Sequence, residues 1–182
     1  MTRNAPTSSH NQNRNSQSYK MIDGSKKHSA QLRRRQARLA AVQALYQMDL
    51  AQTNLEDVIS EFSEFRLNNE AEDEPFQADV TFFRDLLIGV VRSQRDIDPI
   101  IDARLAEGWH LVRIDSILRA ILRSAAYELM HRDDVPAKVV ISEYIDVAHA
   151  FFEGDEPRVV NGVLDNLARH ARTGELQESP EG

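Results

Sequence analysis

The chain predicts an all-α fold of about seven helices between two polar tails. Three observations carry that prediction. Apolar residues return at three- and four-residue intervals through most of the chain. No stretch alternates strictly with period two. Cap-type residues, Pro or Gly fall between the apolar stripes.

Residues 1–29 are rich in Asn, Ser, Gln, Lys and Arg and offer almost nothing to bury, so they read as a disordered basic tail. An organelle transit peptide would need an amphipathic apolar face, which is missing. The helical region spans residues 30–172, and residues 173–182 read as an acidic second tail. Leu39, Val42, Leu45 and Tyr46 form the stripe of a first helix starting near Ala30. Thr53 or Asn54 caps a short second helix with Leu55, Val58, Ile59 and Phe62 on one side. Asn68 to Pro75 is an acidic loop. Phe83, Leu86, Leu87, Val90 and Val91 mark a third helix, which Asp98-Pro99 should break because the residue before proline avoids helical geometry. A fourth would then run from Pro99 to Ala106 and stop at Gly108. Ile114, Ile117, Leu118, Ile121, Leu122 and Ala125 make the widest stripe, that of a central core helix closed by Val135-Pro136. Ile141, Ile145, Ala148 and Phe152 mark a sixth helix with Ser142 as its cap. Val160, Val163, Leu164 and Leu167 mark a seventh, opened by Asp155 and Pro157.

Composition narrows the function classes. No apolar run reaches the roughly 20 residues of a membrane span, and the N-terminus lacks a secretory apolar region. Without cysteine there is no disulfide framework, thiolate zinc site or cysteine nucleophile, and the expected address is cytoplasmic. The net charge of -7 divides unevenly. Residues 1–40 hold nine Lys/Arg against Asp23, or +8, which leaves -15 on the rest. A basic head on an acidic body points to a polyanion partner at one end.

The run LRRRQAR, Leu32 to Arg38, concentrates that charge. Arg34 and Arg38 fall on one helix face. Near a helix start, Arg33, Arg34, Arg35 and Arg38 would repel one another and oppose the helix dipole, and phosphate binding would explain why they are tolerated. The alternative is a solvated face paired with acids from the rest of the body. Four arginines on single-stranded RNA would give a slope of log K against log salt of about -3, or roughly 50-fold in affinity between about 50 and 200 mM. Phe151 and Phe152 are adjacent and diverge on a helix, so at least one is a candidate for stacking on a base. Tyr46 and Trp109 read more readily as core. The seven glycines form no nucleotide cradle and the six histidines show no metal-ligand spacing. Asp115, Asp133 and Asp134 read as cap and loop residues, and His131 and His149 stand alone. No catalytic residue, metal or cofactor is expected.

Three segments together resemble the NusB family: RRRQARLAAVQALYQMDL from Arg33; FFRDLLIGV from Phe82 with IDSILRAILRSAAYEL from Ile114; and DVPAKVVISEYIDVAHAFFEGDEPRVVNGVLDNLAR from Asp134. The resemblance implies two packed three-helix bundles. It also implies binding of boxA RNA in ribosomal RNA transcripts, jointly with the ribosomal protein NusE, so that the RNA polymerase antitermination complex passes terminators. By position it assigns RNA contacts to Arg33, Arg34, Arg35 and Arg38, and to Asp155, Arg158 and Asn161 before and within the last helix. Tyr46, Phe82 and Phe83 fall on the side facing NusE. Val159 stands where family members often carry an aromatic, and Pro157 alters the same turn. A homodimer is compatible with the resemblance, and membrane association is not expected. Two other readings remain: a helical protein-interaction module, and a relative of the RNA-binding domains of RNA cytosine methyltransferases, whose catalytic domain would need a cysteine.

Overall fold

The computed structural model describes residues 12–66 and 78–175. Its helices are α1 Gln12–Ala51, α2 Leu55–Glu61, α3 Val80–Asp102, α4 Ser116–His131, α5 Ala137–Phe151 and α6 Glu156–Ala171. A π turn over Phe62–Arg66 follows α2, and there is no strand among the described residues. The acidic loop expected over Asn68 to Pro75 lies outside the described residues, as do residues 1–11 and 176–182.

Local chemistry explains most boundaries. The Asn54 side chain accepts from the Asp57 N–H at 2.9 Å and opens α2. Asp79 accepts from the Phe82 N–H and opens α3. Asp115 accepts from Ile117 and Leu118 and opens α4. Gly108 takes φ +82 in the connection before α4, a left-handed conformation that suits glycine.

Packing centres on α4. From Leu118 to Leu129 it is buried throughout except at Arg119, as the widest apolar stripe predicts. Helices α4, α5 and α6 pack mutually as one three-helix unit, while α1 and α3 pack on each other and both on α4, with α2 laid against α1. Phe62 stacks on Phe83 with ring centroids 5.6 Å apart, joining the end of α2 to α3. At the far end of the chain, the buried Arg172 donates to the carbonyls of Leu129, Val135, Glu128 and Arg132, which lie at the close of α4 and in the turn after it. Glu175 then accepts from the Ala137 N–H at 2.8 Å and caps α5 from outside its own helix.

Three expectations about elements are corrected. Asp98-Pro99 does not break the third helix: α3 runs on to Asp102, so the expected third and fourth helices are one. Ile97 and Ile101 are fully buried on either side of the proline, and Arg123 holds Asp98 with two bonds of 2.8 and 2.7 Å, so packing outweighs the local preference. Ser142 is not a cap, because α5 already starts at Ala137 behind Pro136. Helix α1 starts at Gln12, ahead of Ala30, so Arg33 to Arg38 lie well inside it and the argument from an unfavourable helix dipole falls away.

Candidate nucleic-acid interface

The four arginines leave α1 in different directions, and the surrounding helices decide what each can do. Arg33 is exposed, with no ion-pair partner among the described residues, and its own carbonyl accepts from the Asp79 N–H at 3.0 Å. Arg34 is half-buried, 3.9 Å from Asp79 and 3.5 Å from Asp134. Arg35 turns toward α5, paired with Asp146 and 3.4 Å from Glu143.

Arg38 points inward and is only 3% exposed. Its fork donates to both oxygens of the fully buried Glu128, at 3.0 and 2.6 Å, with Glu143 at 3.4 Å. Burial opposes its charge, yet the bonds from Glu128 outweigh that and hold the guanidinium above its ordinary pKa. A buried charge persists only when paired and bonded in this way. Arg38 therefore ties α1 to α4 and α5 and is not available to a phosphate in this arrangement.

Beneath this cluster lies Phe82. Arg34, Arg38 and Arg132 stand 5.0, 5.1 and 4.9 Å from its ring centroid. Arg34 and Arg38 thus share a face as their spacing predicts. Phe82 and Phe83 are 3% and 0% exposed, which corrects their assignment to a partner surface: one is the platform under the arginines and the other is core. Tyr46 is half-buried and lines an open groove of about 430 Å³ with Val42, Leu50, Ile117 and Phe151. Leu50 in that groove is 62% exposed.

The second predicted cluster does assemble. Asp155, Arg158 and Asn161 line a groove of about 590 Å³ with Ile145, His149, Glu153 and Pro157. Asp155 occupies the position before α6 as predicted, but its carboxylate accepts from Arg158 at 3.2 Å instead of capping the helix. Phe151 and Phe152 are both half-buried against the core, and Phe151 also lines the groove beside Tyr46. Val159 also packs partly on the core. Helix α5 connects the two clusters: Asp146 meets Arg35, and the neighbouring Ile145 begins the groove that reaches Arg158.

Sequence reasoning missed Arg132 and the carboxylates that hold the arginines, Asp79, Glu128, Asp134, Glu143 and Asp146. Their separation from α1 in the chain hides them from any spacing argument. The net acidity of residues 41–182 was the available signal that such partners exist.

A family model described as the NusB family matches residues 35–169. A transcription antitermination protein NusB from Rhodopseudomonas palustris is 56% identical over 148 residues, covering 81% of this chain and 85% of that protein. Its counterpart from Nitrobacter hamburgensis is 56% identical over 145 residues, covering 79% and 91%. Among solved structures, Thermotoga maritima NusB superposes with a TM-score of 0.65 at 31% identity, over 78% of this chain and 95% of that one. A crystal structure of the antitermination factors NusB and NusE in complex with double-stranded RNA has a TM-score of 0.64 at 24% identity, over 75% and 96%, a likeness of fold.

Proposed function

Because the chain belongs to the NusB family, we propose that it is a transcription antitermination factor that binds boxA-type RNA of ribosomal RNA transcripts together with NusE and helps RNA polymerase read through terminators. Its RNA face is the outer side of Arg33, Arg34 and Arg35, continued along α5 to the groove of Asp155, Arg158 and Asn161. NusE docks on the groove around Tyr46 and Leu50. The protein works without a cofactor and without catalysis, in the cytoplasm. Among the described residues no cluster suits a metal ion and no helix is long and apolar enough to cross a membrane.

One observation supports the RNA face above the others. Among the described residues Arg33 is exposed without an ion-pair partner, and Arg34 and Arg35 stand at the surface in pairs that solvent screens, while of the four Arg38 alone is used internally. Exposed ion pairs contribute little stability, so a phosphate can replace their carboxylates at small cost. The test is an anisotropy titration of a boxA-like RNA, with and without NusE, on wild type and on Arg34→Glu/Arg35→Glu. Charge reversal should cost at least tenfold in affinity while far-UV helicity stays unchanged. Equal affinity in the double variant would remove the face. Arg38 is left intact, since reversing a buried charge would disturb folding and confuse the result.

A protein-interaction module without RNA is the second reading, favoured by the exposed Leu50 groove. Partner capture that survives ribonuclease, in a protein indifferent to boxA RNA, would favour it.

A further inference from the structure

Arg132, at the end of α4, faces the same ring as Arg34 and reaches the same carboxylate. Asp134 accepts from Arg132 Nε at 2.7 Å and Nη2 at 3.0 Å, and its other neighbour is Arg34 Nη2 at 3.5 Å. One anion thus lies between two guanidinium forks, the arrangement by which arginines hold a phosphate. We propose that Arg34 and Arg132 form a binding site for one phosphodiester of the RNA backbone, occupied in the free protein by Asp134, which the RNA displaces. This rests on the RNA-binding reading and adds to it a contact residue and an internal competitor.

The surroundings are built for such an exchange. Phe82 is buried and fixed, and its face carries both guanidiniums at 5.0 and 4.9 Å, so the forks do not depend on Asp134 for their position. Asp85 accepts from Arg132 Nη1 at 2.5 Å, which anchors the far edge of the fork when the near edge changes partner. Asp79 stands 3.9 Å from Arg34 and does the same there more loosely. Asp134 itself is half exposed and sits in the short turn between α4 and α5, where rotation of its side chain alone frees the site. Five carboxylates, Asp79, Asp85, Asp134, Glu128 and Glu143, face the three guanidiniums of Arg34, Arg38 and Arg132. Turning Asp134 outward moves its charge away from the two forks into solvent, where it is screened, and leaves their place to the phosphate. The hydrogen bonds from Arg132 also hold the Asp134 carboxyl below its usual range, so the site favours an anion throughout the neutral region.

The experiment uses full-length R132Q, D134N and D133N with a boxA-like RNA across a salt series. R132Q should weaken binding roughly tenfold and make the slope of log K against log salt shallower by about 0.7, the loss of one single-strand phosphate contact. D134N should tighten binding several-fold. D133N removes the same charge from the next residue, which is 93% exposed and turned toward Arg172, and should change affinity less than D134N. An R132Q protein with the wild-type slope would overturn the proposal, because a merely structural arginine would not alter counterion release. D134N that binds more weakly, or D133N that gains as much as D134N, would overturn it too. A wild-type protein that does not bind RNA removes the site together with the reading it rests on; wild-type binding with an unmoved R132Q slope removes the site alone.

Discussion

Arg38 and Arg34 carry the same side chain, one helical turn apart, and their environments give them opposite work. Arg38 meets Glu128 inside the protein, whereas Arg34 meets Asp79 and Asp134 at its edge. Removing one member of a buried pair strands the other charge. Arg38→Met should therefore lower stability by about 3–5 kcal/mol, while Arg38→Met with Glu128→Leu should recover most of that loss. Urea unfolding of the two variants and wild type measures this; a single variant as stable as wild type would show that the pair is not energetically buried. Arg33→Gln, at an exposed position, should stay within about 0.5 kcal/mol of wild type in the same experiment. Sequence reasoning could see that Arg34 and Arg38 share a face, but not which of them would be covered. That depends on where α4 and α5 come to lie against α1, and Glu128 and Glu143 lie too far along the chain for any periodicity to connect them.

Helices whose apolar stripes face a single core were legible as α2, α4 and α6; Asn54, one of the two residues offered for α2, and Asp115 do cap their helices, whereas Asp155 stands before α6 without a capping bond. Where the sequence misled, a local preference met a stronger tertiary one. Pro99 is the clearest case. Within α3 it leaves the Arg95 carbonyl without its regular helical donor, yet the helix resumes at once, with Ala103 donating to the Pro99 carbonyl at 3.1 Å. Pro99 is exposed, so replacing it removes no core contact. Proline is about 3 kcal/mol less favourable than alanine in a helix interior, and roughly 1 kcal/mol of that is offset because proline also restricts the unfolded chain. Pro99→Ala should then stabilise the protein by about 1–3 kcal/mol, seen as a rise in the thermal midpoint. A fall in the midpoint would mean that proline at position 99 is needed to seat Ile97 and Ile101 together. The start of α1 misled for another reason: residues ahead of Ala30 carry no apolar stripe, so their helical backbone left no trace in the pattern.

Charge is distributed so that recognition and attraction can be separated. Residues 1–27 hold five Lys/Arg against Asp23. A basic segment of that kind adds phosphate contacts that are blind to base sequence, whereas discrimination has to come from side chains that reach base edges. In the proposed RNA face those contacts belong to the groove of Asp155, Arg158 and Asn161, which carries both an acceptor and an amide at the surface. A chain beginning at His28 keeps Arg33, Arg34, Arg35 and that groove and loses only the segment before them. Its affinity for a boxA-like RNA and for a scrambled RNA should fall by the same factor, roughly three- to tenfold at about 50 mM salt, with a shallower salt slope for both. The ratio of the two affinities should stay within about twofold of the full chain's, since each base discriminated is worth far more than a screened phosphate contact. Parallel titrations of both RNAs at two salt concentrations measure all three quantities. If the ratio collapses while the slope holds, the N-terminal segment reads bases, and the division of labour between a basic head and the α5–α6 groove is wrong.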